Sequence, residues 1–167
     1  MSEPEVSDES LLHGVPVVAA TGQVVLHPTV DQWLDTVSAL KADGFCMAID
    51  VTAVDYSAHP GRTDLPEGVV PERFEVVASF IDHTDGRRVR LRVQVPESDP
   101  VVPSLFDLFP GTEAMEREVW DLVGVAFAGH PDHTRILMPE DWVGHPLRRD
   151  VPIGRIPVQF KDAPTAR

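Results

Sequence analysis

Two alternating runs that meet at Asp85-Gly86 constrain this chain more than any other feature. Arg73–Ile81 and Arg88–Val95 each carry apolar side chains at every second position. Period-two alternation marks a half-buried strand, because successive side chains leave opposite faces of the backbone. Asp-Gly between two such runs is a type I′ turn signal, since both central residues of that turn need positive φ. A two-residue turn there sets Phe80 opposite Leu91, Ala78 opposite Val93 and Val76 opposite Val95. One face of the hairpin is then apolar on both arms, and the other carries Arg88, Arg90 and Arg92. A slip by one residue would scramble the two faces.

The rest of the chain supplies a small α+β domain. Val15–Leu26 is β-rich and interrupted by a turn at Thr21-Gly22. Thr29 and Gln32 have capping-box spacing, with Thr29 as the N-cap. Val30, Trp33, Leu34, Val37 and Leu40 then recur on one helical face. Gly44 closes that helix, where a left-handed cap suits glycine. Phe45–Tyr56 reads as a strand, and the Pro- and Gly-rich stretch Ser57–Pro71 as a loop. A second helix spans Glu113–Val123, with Met115, Val119, Leu122 and Val123 on one face and Gly124 at its end. Thr112 is its expected N-cap, and Glu113 and Glu116 suit the positive end of its dipole. Val125–Phe127 makes a short strand. The expected fold is therefore α+β, a single small domain over residues 13–128 with a mixed or antiparallel sheet and two main helices. Residues 1–12 read as a disordered acidic tail. Residues 129–167, with six prolines and no regular period, read as an extended irregular C-terminal tail that wraps a partner.

The charge balance narrows the partners. With 14 basic and 27 acidic side chains the formal net charge is −13, which opposes nucleic-acid phosphates and anionic lipid headgroups alike. The acidic start MSEPEVSDES lacks the basic and apolar regions of a signal peptide. No apolar run approaches the ~18 residues of a membrane-spanning helix. A cytoplasmic chain is expected, meeting a membrane only through another protein. The single Cys46 is expected to be buried and reduced, and alone it cannot hold an iron–sulfur cluster.

Three groups of residues invite chemistry. His130, His133 and His145 lie near Asp132, Glu140 and Asp141, a donor set that a hydrolytic zinc site could use. Pro131 opposes the helix that would present the first two on one face. The plainer reading has these histidines bonding backbone or touching a partner. Two carboxylates of the stretch Glu116–Asp121 could flank a glycoside-hydrolysing site. Helical spacing instead pairs Glu113 with Arg117 and Arg117 with Asp121, and sets Glu116 and Trp120 on a face the core does not use. A charged face with a tryptophan suits an interface. The Arg88, Arg90 and Arg92 stripe either pairs with Glu75 and its acidic neighbours or faces an acidic partner. No phosphate loop, dinucleotide fingerprint or Ser/His/Asp set is present.

The stretch Glu116–Leu137, EREVWDLVGVAFAGHPDHTRIL, resembles the signature of the 30 kDa (C) subunit family of respiratory complex I. Asp50–Tyr56, Arg73–Val77, Arg88–Val95, Val101–Ser104 and Met138–Asp150 resemble further family stretches in the family's order. Thr134, Glu113-Ala114, Val123 and Val151 depart from the family's usual residues. The resemblance implies a non-catalytic subunit of the hydrophilic arm of NADH:quinone oxidoreductase, on the cytoplasmic side of the membrane. It would pack on the quinone-site (D) subunit and near the iron–sulfur (B and I) subunits. No cofactor is expected in this chain, FMN and the iron–sulfur clusters belonging to partner subunits. The candidate contact residues are Arg88, Arg90, Arg92, Glu116, Arg117, Glu118, Trp120, His130, Pro131, Arg135, Trp142, His145 and Arg148. Three other readings compete: the homologous subunit of a membrane-bound NiFe hydrogenase or other complex I-like dehydrogenase, a stand-alone metal-dependent hydrolase using His130, His133 and His145, and a free-standing adaptor.

Overall fold

The computed structural model describes residues 11–20, 23–59, 62 and 65–151. The Thr21-Gly22 turn and most of both expected tails lie outside them. Six strands form one sheet: β1 (Leu11–Leu12), β2 (Val15–Ala20), β3 (Gln23–Leu26), β4 (Met47–Asp55), β5 (Phe74–Ile81) and β6 (Arg88–Val95). Their order is β1-β2-β3-β6-β5-β4. β3 runs parallel to β6 and every other pairing is antiparallel, so the sheet is mixed. Leu11 and Leu12, expected in a disordered tail, pair with Pro16 and Val15.

The hairpin forms as β5 and β6, but its register differs from the two-residue turn. Phe80 faces Val89, Ala78 faces Leu91 and Val76 faces Val93. The shift is by two residues, so every side chain keeps its face; alternation fixes the face and leaves the register to the turn. Here the buried Asp82 decides it. Its N–H bonds the Arg87 carbonyl at 2.9 Å, extending the ladder. Its carboxylate accepts from Thr84 N–H at 2.8 Å and from the Arg87 guanidinium at 2.6 Å. The chain therefore reverses over His83–Gly86. Of the residues in that reversal only Gly86 takes positive φ, 69°, whereas a type I′ turn requires two.

Helix α1 (Trp33–Ala42) starts later than expected, with Gln32 and not Thr29 at its N-cap. Thr29 N–H bonds Gln32 Oε1 at 3.1 Å and Gln32 N–H bonds Thr29 Oγ1 at 3.3 Å. The pair closes the turn before the helix rather than its first turn. Its buried stripe is Trp33, Thr36, Val37 and Leu40. Leu34, expected on that stripe, is exposed; Thr36 takes the place because its hydroxyl is satisfied by the Gln32 carbonyl at 2.7 Å. Cys46 is also exposed, contrary to expectation. Phe45 before it turns into the core and leaves Cys46 outside.

Helix α2 (Glu113–Val123) has the expected bounds, preceded by a 3-10 turn at Pro110–Thr112. Thr112 holds the expected N-cap position, but its side chain makes no cap bond. Its hydroxyl sits 3.0 Å from the Phe109 carbonyl and 2.9 Å from Glu116 Oε1. β7 (Val101–Pro103) and β8 (Ala126–Ala128) form a separate parallel pair. Both helices contribute to one core with the apolar face of the sheet, joining Trp33, Val37, Phe80, Leu91, Val119 and Val123. Trp33 Nε1 donates to the Pro103 carbonyl at 3.1 Å, tying α1 to β7. The opposite face of the sheet bears the exposed Asp50, Thr52, Arg88 and Arg90. Phe80 is fully buried and packs its ring 5.2 Å from that of Phe109. Phe80→Ala should lower stability by about 3–5 kcal/mol in chemical denaturation; a loss below 1 kcal/mol would place the core elsewhere.

Candidate partner interface

Residues beyond β8 form no helix or strand through Val151, yet they are held closely to the domain. The reason lies at the C-terminal end of α2. The last four carbonyls of a helix lack partners within it. Here all four are satisfied. Gly124 N–H bonds Trp120 O at 3.0 Å. Arg135 Nη1 and His145 Nδ1 reach Asp121 O at 3.2 and 3.0 Å. Leu147 N–H bonds Leu122 O at 2.9 Å, and Arg148 Nε bonds Val123 O at 2.7 Å. The basic groups also suit the negative end of the dipole. Gly124 has φ 83°, and a Cβ there would stand 2.5 Å from the His145 ring, so only glycine lets the cap close.

A buried carboxylate organises the same segment. Asp121 is fully buried. Its Oδ2 accepts from three successive backbone N–H groups: Ile136 at 3.1 Å, Leu137 at 2.8 Å and Met138 at 2.8 Å. Its Oδ1 accepts from Arg135 Nη1 at 2.6 Å. Burial alone would push this carboxyl up; the three N–H groups and Arg135 outweigh it and hold Asp121 below its ordinary range. Arg135 continues outward to the carbonyls of Trp142 and Gly144, at 2.8 and 2.9 Å. Arg117 pins the segment one turn earlier, donating to Thr134 Oγ1 at 2.8 Å and to the Arg135 carbonyl at 3.2 Å. The far end is clamped by Asp55, which accepts from Arg149 N–H at 3.0 Å and Arg73 Nη2 at 2.9 Å. There too burial opposes ionisation and is overcome by Arg73 and by the N–H groups of Ser57 and Arg149, so Asp55 lies far below the usual carboxylate range.

The candidate contact residues therefore divide. Glu116 is buried, accepting from Ser104 Oγ at 2.5 Å and Leu105 N–H at 2.8 Å. That corrects its assignment to an open charged face: it has no surface to offer. Arg117 pairs with Glu113 and Asp132, at 3.3 and 3.4 Å, not with Asp121. Arg92 turns to the buried Glu75, 2.8 Å away, while Arg88 and Arg90 are exposed. Arg135, His145 and Arg148 are spent largely on the α2 cap. Trp120 is half-buried in a ring cluster, with His133 stacked at 6.1 Å, His145 edge-on at 6.4 Å and the Arg135 guanidinium at 5.7 Å. His130 Nε2 lies 2.9 Å from the Glu113 carbonyl and its Nδ1 accepts from Asp132 N–H at 3.0 Å. Both its nitrogens are engaged. Among the described residues no group of three or more His, Cys, Asp or Glu is placed to hold a metal. Glu118 and Pro131 are exposed and Trp142 is half-buried.

What the sequence did not single out are the exposed apolar side chains on this fastened segment. Leu137 is 59% exposed, Val143 94% and Leu147 58%. Their backbone is fixed by Asp121, Arg135 and the α2 carbonyls, so they are presented outward rather than folded in. Exposed apolar side chains on a fixed backbone are candidate contact residues.

Asp121→Asn should lower stability by about 3–5 kcal/mol, since it removes the charge from a buried hydrogen-bonded pair and leaves Arg135 behind. The native pKa of Asp121 lies below its ordinary 3.8. Its contribution is thus complete above that value and lost as pH falls through the native one. Denaturation midpoints should hold from neutrality to about pH 5 and fall below about pH 4, less steeply in Asp121→Asn. A variant with an unchanged midpoint and pH profile would remove Asp121 from this role.

A family model for the 30 kDa subunit of respiratory-chain NADH dehydrogenase matches residues 26–156. The C subunit of the NADH-quinone oxidoreductase of Saccharopolyspora erythraea is 38% identical over 166 residues, covering 98% of this chain and 61% of that protein. NADH-quinone oxidoreductase subunit 5 of Thermus thermophilus is 39% identical over 137 residues, covering 79% and 63%. The chain thus spans about three fifths of the length of these two relatives. Among solved structures, a trypsin-resistant fragment of Nqo5 superposes with a TM-score of 0.63 at 34% identity, over 71% of this chain and 89% of that one. A chain of an archaeal membrane-bound sulfane sulfur reductase reaches the same TM-score at 19% identity, over 92% and 90%, and shares the fold. The matched region contains α2, its cap and the whole fastened segment, and the chain belongs to the 30 kDa subunit family of respiratory-chain NADH dehydrogenase.

Proposed function

We propose that this chain is a structural, non-catalytic subunit of the peripheral arm of an NADH:quinone oxidoreductase. The observation that carries the proposal is the segment 130–151, which lies inside the family match and presents Leu137, Val143 and Leu147 outward on a backbone held by α2. A rigid apolar surface binds a partner without first losing chain entropy. Its task is to hold neighbouring subunits in fixed register, which electron transfer between their cofactors requires. The quinone-site (D) subunit is the proposed principal partner, with the iron–sulfur (B and I) subunits close by. The donor set fits no cluster: there is one cysteine, Cys46, outside any metal-holding group among the described residues. FMN and the iron–sulfur clusters are therefore assigned to partner subunits, and no redox step is routed through this chain. No helix among the described residues is long and apolar enough to cross a membrane. Attachment to the cytoplasmic face of the membrane would run through the complex. The matched relatives are named as NADH-quinone oxidoreductase subunits, which favours this reading over a hydrogenase subunit.

The test is capture from gently solubilised membranes with the full chain as bait. The quinone-site and iron–sulfur subunits should be recovered together, with NADH:quinone activity in the eluate. The Leu137→Asp/Val143→Asp double variant should capture on the order of tenfold less while keeping its unfolding midpoint, as both side chains are exposed anchors. Recovery of the chain alone, or of hydrogenase subunits, would overturn the proposal.

A further inference from the structure

Both helices pack on one face of the sheet, and the other face is only half covered. Register sets Met47, Ile81 and Arg88 in one row across β4, β5 and β6, and Asp50, Ser79 and Arg90 in the next. Side chains in such rows share a face of the sheet. Towards Glu75 and Gln94 that face is closed by Arg62, which pairs with Glu75, donates to Gln94 Oε1 at 3.0 Å and lies 3.8 Å over the Tyr56 ring. At the hairpin end it stays open. Met47 is 49% exposed and Ile49 38%, and Arg88 and Arg90 are exposed beside them.

Two open arginines are unusual in a chain of net charge −13. Neither Arg88 nor Arg90 makes an ion pair or hydrogen bond among the described residues. The acids nearby already have partners: Arg87 holds Asp82 at 2.6 Å and Asp85 at 3.6 Å, and Arg92 holds Glu75 at 2.8 Å. Asp50 borders the same shallow hollow as Arg88 and Arg90, but its strand lies two away from theirs, about 10 Å. Methionine and arginine are the residues that protein interfaces favour. β5 and β6 are paired on both edges, so an occupant meets side chains rather than free backbone groups. A helix does so with its own backbone satisfied, and at about 10 Å across it spans β4 to β6. Its residues i and i+4 stand about 6 Å apart, close to the roughly 6.8 Å between alternate residues of a strand. We propose that the hairpin end of this face docks an acidic amphipathic helix of another protein. Two carboxylates one turn apart meet Arg88 and Arg90, and its apolar stripe lies on Met47, Ile49 and Ile81. A second copy of this chain is disfavoured as the occupant, because it brings a further −13 and repels. The proposal rests on the reading of this chain as an assembly subunit and gives it a second contact face, remote from the segment 130–151.

The test places the photo-cross-linker p-benzoylphenylalanine at Met47 or Thr52, both exposed, in the tagged full chain in its native membranes. After illumination and capture, the cross-linked peptide is sequenced. It should come from another protein and carry two carboxylates at i and i+4 beside an apolar stripe. The Arg88→Glu/Arg90→Glu variant should lower the cross-linking yield on the order of tenfold with its unfolding midpoint kept. The neutral Arg88→Gln/Arg90→Gln variant should lower it by less, and Asp50→Asn should leave it equal or higher. No cross-link, a link to a second copy or to residues 1–10 of this chain, a linked segment without paired carboxylates, or a yield indifferent to both arginine variants would each overturn the proposal. The same capture separates the two readings. Quinone-site and iron–sulfur subunits recovered without a cross-link would sink this docking face alone. A cross-link to an acidic helix without those subunits would sustain the face and sink the oxidoreductase assignment.

Discussion

The Asp121 carboxylate is the interaction on which the functional half of this structure depends. A buried carboxylate is tolerated only when its charge is met by several donors. Asp121 has four, and all come from Arg135–Met138. The same contact therefore neutralises a charge and fixes the irregular backbone that follows β8. It works together with the helix end beside it. Gly124 allows the chain to leave α2 in a left-handed conformation, and His145, Leu147 and Arg148 return to close the open carbonyls. Without regular structure of its own, the segment takes its rigidity from α2.

That arrangement resolves an apparent contradiction in the chain. Its composition is strongly acidic, yet apolar side chains stand out on the segment over α2. Several polar groups of the segment bond inward, to the helix end and to Asp121. The apolar side chains are left facing out.

The longer strands and both helices were legible in the sequence because they follow period. Alternation set the faces of β5 and β6, and helical spacing set both bounds of α2. The register was not legible, because a shift of two preserves the faces and the choice lay with the Asp82 side chain. Glu116 was misplaced although its spacing held the clue. It stands three residues before Val119 and seven before Val123, on the buried stripe. Charge was taken to mean exposure, whereas Ser104, Leu105 and Thr112 supply donors that make burial possible. Asp121 was hidden in the same way. Arg117 is its neighbour at i−4, but its true partner Arg135 lies fourteen residues on, across a turn that no local rule predicts. The family resemblance was carried by this stretch even though its contacts were not readable.

The most direct measurement is amide hydrogen exchange on the free, uncomplexed chain. If the segment is held by its own helix, the amides of Ile136, Leu137, Met138 and Leu147 will be protected without any partner, to a degree comparable with those of α2. If they exchange at the rate of an unstructured chain and slow only in the presence of other subunits, the segment is ordered by assembly, and the buried carboxylate does not build the surface.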